Sequence, residues 1–163
     1  ERQMFMPTVR EEIGFGPYQQ GKRGSELDEL VDRAMADTDI SELADAYPRT
    51  LSRGDQQRVA IASGLAMNTE YLVLDEPTSG RDGREKKKLM SLMDQLKAKG
   101  ITILLVTHDT DEAIYLSDRI LILGAPGEGI REEISIKEPS RSREWLYEQG
   151  KLRAEIHRII KEK

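Results

Sequence analysis

Residues 71–78 read Tyr-Leu-Val-Leu-Asp-Glu-Pro-Thr, an apolar run that ends in two adjacent acids. Such a run predicts a buried strand of a parallel sheet. Because ligands of α/β sheets bind beyond the carboxyl ends of the strands, the two acids are expected to face a cleft. Asp75 and Glu76 are therefore the first candidates for chemistry.

A second segment upstream, residues 51–60, reads Leu-Ser-Arg-Gly-Asp-Gln-Gln-Arg-Val-Ala. Ser52 and Gly54 come where a long helix should begin, and apolar residues follow at helical spacing to about Met67. The first turn of a helix has unpaired backbone N–H groups and the positive end of the helix dipole. A phosphate is therefore the expected ligand at this helix start.

Together these segments resemble the ATP-binding-cassette (ABC) ATPases. Leu51-Ser-Arg-Gly-Asp-Gln-Gln57 is similar to the family's signature loop and Leu72-Val-Leu-Asp-Glu-Pro77 to its Walker B strand. Ser79-Gly-Arg-Asp82 is similar to the D-loop and Val106-Thr-His-Asp109 to the switch-histidine loop. The four motifs stand in the family's order and spacing, and the resemblance covers about residues 3–136.

The resemblance implies an α/β fold of the P-loop NTPase (RecA-like) type, present in part as a helical subdomain and the C-terminal part of the parallel-sheet core. It places the end of the Q-loop region, the helical subdomain and the signature helix in residues 1–68. The Walker B to switch-histidine part of the core falls in residues 69–136, and a C-terminal helical extension in residues 137–163. The P-loop pattern Gly-x-x-x-x-Gly-Lys-Ser/Thr does not occur in the sequence. We therefore expect a C-terminal fragment of the domain that is inactive alone.

Local patterns predict most of the secondary structure. Helices are expected over about residues 8–13, 25–35, 41–46, 54–67, 84–98, 110–116 and 142–160. The first is expected to start with a capping box of Thr8 and Glu11, and the sixth with Asp109 or Thr110 as its cap. One face of the fifth helix is expected to carry Leu89, Leu92, Met93 and Leu96. Strands are expected over 71–74, 101–106, 119–123 and 130–136, with 101–106 fully buried. Gly14-Phe-Gly-Pro17 is predicted to be a loop, and the last helix is expected to dock on its own domain, with contact to a second copy or to another molecule as the alternatives.

The resemblance implies roles for three residues at the predicted cleft. Asp75 would belong to the Mg²⁺ shell, through water, since Mg²⁺ prefers oxygen ligands. Glu76 would be the general base on the attacking water, and His108 would contact the γ-phosphate. A solvated acid pair at a strand end is the alternative for Asp75 and Glu76, and a lone histidine is usually structural, but the surrounding motifs favour function here. His157 is expected to be a surface residue without a role.

The signature loop would bind ATP held by a second ABC domain, because ABC nucleotide sites are shared between two domains. The resemblance assigns Ser52, Arg53, Gly54 and Asp55 to this contact. Two of these residues depart from the common pattern: Arg53 replaces Gly and Asp55 replaces Gln. Arg53 would add positive charge toward the nucleotide. Asp55 would repel it unless it caps the helix or pairs with Arg53 or Arg58.

Composition restricts the partners. The net charge of −5 gives no general basic field for nucleic acid, and the absence of cysteine excludes disulfides and thiolate metal sites. The apolar runs are too short to span a bilayer, so a membrane connection would require a partner. The resemblance implies ATP and Mg²⁺ as cofactors. It implies a second ABC ATPase domain, met through Asp82, and transmembrane permease subunits as partners, at the cytoplasmic face of the cell membrane.

Three functions stay open from the sequence. Residues 8–17, 51–55 and 78–82 are most similar to importer ATPases of energy-coupling-factor transporters for cobalt, nickel or vitamins. The tail, residues 117–133, is more similar to nitrate, sulfonate or taurine importer ATPases. A non-transport ABC ATPase acting on nucleic acid or ribosomes would predict coiled-coil insertions or a basic arm, and neither is present. The third alternative is a non-catalytic dimerisation or binding module.

Overall fold

The computed structural model describes residues 4–79, 83–138 and 141–161. These residues fall into two compact units. Unit 1 comprises the chain up to Leu74 together with Thr78–Leu104, and unit 2 comprises Asp75–Pro77 together with the chain from Leu105 onward. The domain boundaries after residues 68 and 136, which follow the motifs, stay predictions.

Helices dominate the described part of unit 1. They are α1 (Val9–Gln19), α2 (Gly24–Asp37), α3 (Arg53–Ala66) and α4 (Gly83–Ala98), with short 3₁₀ turns at Ser41–Leu43 and Pro48–Thr50. The first three helices pack on one another. Their apolar faces supply the core of the unit, which includes Val9, Ile13, Val31, Met35, Val59, Ile61 and Ala62. In α4, the predicted stripe of Leu89, Leu92, Met93 and Leu96 is buried.

The predicted loop at residues 14–17 is wrong, because α1 continues through it to Gln19 with Pro17 buried inside the helix. A Cβ on Gly14 would lie 3.3 Å from Val31 Cγ2, and one on Gly16 would lie 2.9 Å from Met67 Cγ. The two glycines thus allow neighbouring side chains to approach the helix closely. Tertiary packing here outweighs the weak helix propensity of Gly and Pro. At its start α1 has the predicted capping box between Thr8 and Glu11.

Two strands carry the residues of the predicted cleft, β1 (Tyr71–Asp75) and β2 (Thr102–Val106). The N–H of Thr102 donates to Glu70 C=O at 3.0 Å, and the N–H of Glu76 donates to Val106 C=O at 2.8 Å. From the first bond to the second, the residue numbers rise along both strands. The strands are therefore parallel, as predicted.

The expectation that these strands are buried throughout is wrong. In β1 the side chains of Leu72 and Leu74 are buried, whereas those of Tyr71 and Val73 are exposed. A strand is buried on both sides only where both faces of its sheet are covered. In the described residues, cover lies on one face of this strand pair, so its side chains alternate.

Unit 2 contains α5 (Thr110–Leu116), β3 (Arg119–Leu123), β4 (Ile130–Ser135), α6 (Arg143–Glu148) and α7 (Gly150–Lys161). Strands β3 and β4 pair in antiparallel register from Arg119 opposite Ser135 to Leu123 opposite Ile130, with an irregularity between Ile122 and Leu123. The predicted strands and the turn between them are therefore present.

The core of unit 2 shows where the chain's last helices pack. Its buried residues are Ile114, Ile120, Ile122, Ile136, Ile156 and Ile159. Because α7 supplies the last two, the expected docking of the terminal segment on its own unit is confirmed. The predicted single helix divides into α6 and α7 at Gln149, just before Gly150, a poor helix former.

Candidate functional site

Glu76 and His108 lie against each other in unit 2. His108 Nδ1 is 2.7 Å from Glu76 Oε2, and the backbone N–H of His108 donates to Glu76 Oε1 at 2.9 Å. The two residues follow the last residues of β1 and β2, and parallel pairing places these strand ends at one edge. The structure thus brings together two residues that are 32 positions apart in the sequence.

The backbone of Glu76 has a conformation that is rare for a residue with a side chain. Its φ is +47°, in the left-handed region. Such a conformation costs roughly 1–3 kcal/mol and persists where surrounding contacts enforce it. One such contact is the hydrogen bond from Glu76 N–H to Val106 C=O. The turn directs the carboxylate toward His108, and a strained residue of this kind is typical of functional sites.

The charges around His108 favour its protonated form. The hydrogen bond from the ring to Glu76, followed by the charge of that carboxylate, raises the pKa of His108 above its ordinary value of 6.5. The charges of Asp109 and Glu112 act in the same direction. The His108 side chain is 80% exposed, so solvent screens these interactions. When the ring is protonated, the two side chains therefore form an exposed ion pair that a competing anion can reach.

A hydrogen-bonded network holds the loop that carries His108. The hydroxyl of Thr107 accepts the Asp109 N–H at 3.0 Å and donates to Glu112 Oε2 at 2.6 Å. Asp109 caps α5 by accepting the Glu112 N–H at 3.0 Å. Sequence reasoning missed Glu112, although the spacing Asp109-x-x-Glu112 is that of a capping box.

At the start of α3, two side chains of the signature segment, Ser52 and Asp55, bond to each other. Ser52 is the N-cap, and its Oγ accepts the Asp55 N–H at 3.2 Å and donates to Asp55 Oδ2 at 2.7 Å. Arg58 contacts Asp39, through its carboxylate at 3.7 Å and its carbonyl at 3.2 Å. Of the arrangements considered for Asp55, the structure shows engagement with the helix cap. The Ser52 hydroxyl, predicted to bind a phosphate, is thereby already bonded.

A small cavity of about 140 Å³ adjoins this helix start within unit 1. Its lining contains the cationic side chains of Arg58 and Lys88, and its full set of lining residues is Ser52, Gly54, Asp55, Gln57, Arg58, Lys88 and Leu89. Lys88 comes from α4 and is exposed. In the sequence, Lys88 is only the last of three consecutive lysines, residues 86–88. Such a run is usually a solvated helix face.

Comparison with known proteins establishes the family. Residues 2–79 match the family model described as ABC transporter. The energy-coupling factor transporter ATP-binding protein EcfA of Methanocaldococcus jannaschii is 33% identical over 187 residues, covering 99% of this chain and 67% of that protein. The chain belongs to the ABC transporter ATP-binding proteins. The cobalt import ATP-binding protein CbiO of Rhodobacter capsulatus is 41% identical over 120 residues, covering 74% of this chain and 43% of the relative.

Solved structures show that the predicted α/β fold class, the ABC cassette fold, is correct. The structure of cbiO1 from Clostridium perfringens, described as part of the transporter complex cbiONQ, has a TM-score of 0.69 and 35% identity. The match covers 73% of this chain and 48% of that one. The dimeric bacterial cassette MJ0796 has a TM-score of 0.65 and 29% identity, covering 82% of this chain and 59% of that chain. The ABC chain described here spans about half the length of several of its relatives.

Asp75, which was predicted to belong to the Mg²⁺ shell, carries the type of ligand that this ion prefers, a carboxylate. It is the last residue of β1, and its side chain is exposed. Mg²⁺ in nucleotide sites keeps several waters and takes one or two carboxylates together with substrate phosphates. Within the described residues, no three acids or histidines lie close enough to hold a metal ion by themselves. Asp75 therefore fits an ion that a nucleotide brings with it.

The remaining residues considered in the sequence, Asp82 and His157, have different outcomes. Asp82, the predicted D-loop contact, lies outside the described residues. His157 is exposed, and its Nε2 is 3.1 Å from Thr110 Oγ1, so the ring contacts the start of α5. None of the described helices is long and apolar enough to cross a membrane.

Proposed function

We propose that this chain is part of an ATP-hydrolysing subunit that drives an importer of the energy-coupling-factor type. The observation that carries the proposal is the contact between Glu76 and His108, because it unites a general base and a phosphate-binding cation at one strand edge. The names of the relatives, energy-coupling factor and cobalt import, support a small nutrient such as a metal ion as the cargo.

The ion pair suggests how binding of phosphate prepares the base. While His108 is bonded to Glu76, the carboxylate is neutralised and poorly placed to accept another proton. A γ-phosphate competes for the imidazolium, since phosphate is a strong acceptor for a cationic donor. Glu76 is then free to bind the attacking water. Arrival of the phosphate and release of the base become one event.

Hydrolysis then proceeds by attack of this water on the γ-phosphate. The water oxygen bonds to the γ-phosphorus, its proton passes to Glu76, and the bond from that phosphorus to the β–γ bridging oxygen breaks to leave ADP. His108 stabilises charge on the transferred phosphoryl group. Asp75 would hold Mg²⁺ through water, and that ion would neutralise charge on the phosphate oxygens.

The signature segment would complete the site of a second cassette. Gly54 would offer its backbone N–H and Ser52 its hydroxyl to the phosphate of ATP held in that cassette. Arg53 would add positive charge, and Asp55, which accepts the Ser52 hydroxyl, would compete with the phosphate for it. Asp82 would contact the same partner domain. Permease subunits in the membrane would hold the two cassettes at the cytoplasmic face.

Steady-state ATP hydrolysis tests the proposal. The assay uses a complete cassette, here defined as the N-terminal half of the Clostridium perfringens relative followed by this chain. Glu76→Gln is expected to lower kcat at least about a hundredfold, because the amide cannot accept the proton. Glu70→Gln is the matched control, since Glu70 is exposed just before the same strand.

Two results would contradict the proposal. One is a Glu76→Gln cassette that retains the wild-type rate. The other is hydrolysis by the 163-residue chain alone that Glu76→Gln abolishes, since the chain without a P-loop is expected to show no turnover.

A further inference from the structure

A buried carboxylate lies beneath the loop that carries His108. Glu112 is only 1% exposed, although it sits in the first turn of α5. Its Oε2 accepts the hydroxyl of Thr107, while its Oε1 has no hydrogen-bond partner among the described residues. Burying a carboxylate with one unpaired oxygen costs free energy. A residue held at such a cost calls for a reason beyond packing.

Helix capping alone does not supply that reason, as the equivalent position in α1 shows. There Glu11 is exposed and its carboxylate accepts the N–H of the N-cap residue, Thr8, directly at 3.1 Å. In α5 the N–H of the N-cap residue Asp109 is bonded to Thr107 Oγ1 instead. Glu112 binds that hydroxyl. The hydroxyl of Thr107 thus lies between the N-cap N–H and the Glu112 carboxylate. Thr107 is the residue before His108.

We propose that Glu112 is a positioning residue for His108 and acts through the hydroxyl of Thr107. This inference rests on the proposed function, because it supposes that His108 serves phosphate hydrolysis. With its hydrogen donated to Glu112 and its oxygen accepting from Asp109, the Thr107 hydroxyl fixes the residues on both sides of His108. The His108 N–H and ring are thereby directed at the two oxygens of Glu76.

The charge of Glu112 supports the same assignment. Behind the influence of Glu76, it is among the negative charges that raise the pKa of His108. A glutamine at this position would bond to Thr107 equally well without a buried charge. A carboxylate therefore serves both to hold the loop and to favour the imidazolium.

A pair of substitutions at Thr107 separates positioning from charge. Thr107→Val removes the hydroxyl and Thr107→Ser keeps it, and neither substitution replaces an ionisable side chain. In the complete cassette, Thr107→Val is expected to lower kcat about tenfold to a hundredfold, as misplacement of a reacting group does, with KM changed less than about twofold. Thr107→Ser is expected to retain kcat within about twofold.

NMR titration of the 163-residue chain measures the midpoint at which the His108 ring loses its proton. A loss of stability alone would not change this midpoint. The His108 ring of the wild type should titrate above 6.5. Thr107→Val should shift that midpoint toward 6.5, and Thr107→Ser should leave it in place. The His157 ring reports whether α5 and α7 remain intact, because it contacts Thr110. A wild-type midpoint and kcat in Thr107→Val would overturn the proposal and leave Glu112 a structural role only.

Two further variants keep the result interpretable. If Thr107→Val unfolds the loop, Thr107→Val with Glu112→Leu removes both partners, which leaves no buried polar group unpaired. That double variant should fold with the same loss of kcat, and a wild-type kcat would contradict the proposal. Glu11→Gln, at the same helical position in α1, should leave kcat unchanged. If instead Glu76→Gln leaves wild-type hydrolysis intact, the proposed function fails, while the NMR arm still tests the loop geometry.

Discussion

The signature loop and the switch loop use the same device in different surroundings. In each, a carboxylate is bonded to the group that is proposed to meet a phosphate: Asp55 to the Ser52 hydroxyl and Glu76 to the His108 ring. At the signature loop the bond is exposed to solvent and joins two side chains of one helical turn. At the switch loop the bond joins two strand ends and is supported from below by Thr107 and Glu112.

This difference indicates which loop can adjust its position and which is held in place. An exposed hydrogen bond within one turn contributes little to stability and can be exchanged for another acceptor. A histidine held by its backbone, its ring and a buried network has its position determined by several contacts together. We therefore expect changes at the signature loop to alter affinity for the partner's nucleotide, and changes at the switch loop to alter the chemical step.

Removal of the His108 ring should have a larger effect on the cassette than any change at the signature loop. In the complete cassette, His108→Ala is expected to lower kcat about a hundredfold or more, because the transferred phosphoryl group loses a preorganised cation. KM for ATP should change much less. Steady-state kinetics over a range of ATP concentrations measures both.

The second histidine of the chain provides the control. His157→Ala removes an exposed ring from α7 and its contact with Thr110, and it should leave kcat unchanged. Equal losses in both variants would mean that the switch loop has no special part in the chemistry.

At the signature loop the expected effect is smaller, and it is a gain in affinity for the partner cassette. Asp55→Asn removes the charge that faces an incoming phosphate, while the amide oxygen can still accept the Ser52 hydroxyl. ATP-dependent dimerisation of the complete cassette should therefore become roughly threefold tighter, a gain typical of exposed charges. The measurement is sedimentation with ATP in the Glu76→Gln background, where hydrolysis does not consume the nucleotide.

Asp28→Asn, an equal change of charge on the exposed surface of α2, controls for net charge. If it strengthens dimerisation as much as Asp55→Asn does, the effect is general, and the interpretation of Asp55 as a local competitor fails.

Local sequence patterns predicted those features that depend on neighbours along the chain. The start of α3 at Ser52 and the buried stripe of α4 follow from spacing and capping chemistry. Of the two caps expected for α5, Asp109 and Thr110, the structure has Asp109. The proximity of Glu76 and His108 was expected from the family resemblance, which implies that both residues act on one phosphate.

Features that depend on which surfaces meet were not predictable in this way. Gly14 and Pro17 were predicted to lie in a loop, yet α1 continues through both, and Val31 packs closely at Gly14. The burial of Glu112 is a second example, since its sequence signal is that of an exposed capping residue such as Glu11. In both cases the tertiary environment, which the local sequence does not specify, decides the outcome.

The smallest expected effect concerns pH, and it follows from the ion pair at the switch loop. The bond to Glu76, with the charges of that residue, Asp109 and Glu112, raises the pKa of His108 above 6.5 in the folded chain. Stability from the imidazolium is therefore fully present below pH 6.5 and is lost as the pH rises through the folded value. The difference in Tm between the wild type and His108→Gln should shrink across that window.

Because the ring is largely exposed, the change should be only about one degree and should diminish in about 1 M salt. Thermal unfolding of both chains from about pH 6 to about pH 9 measures it. A Tm difference that grows with pH would mean that the folded chain favours neutral imidazole. In that case His108 would reach a phosphate as a hydrogen-bond donor without charge, and the exchange of ion pairs proposed for Glu76 would have no driving force.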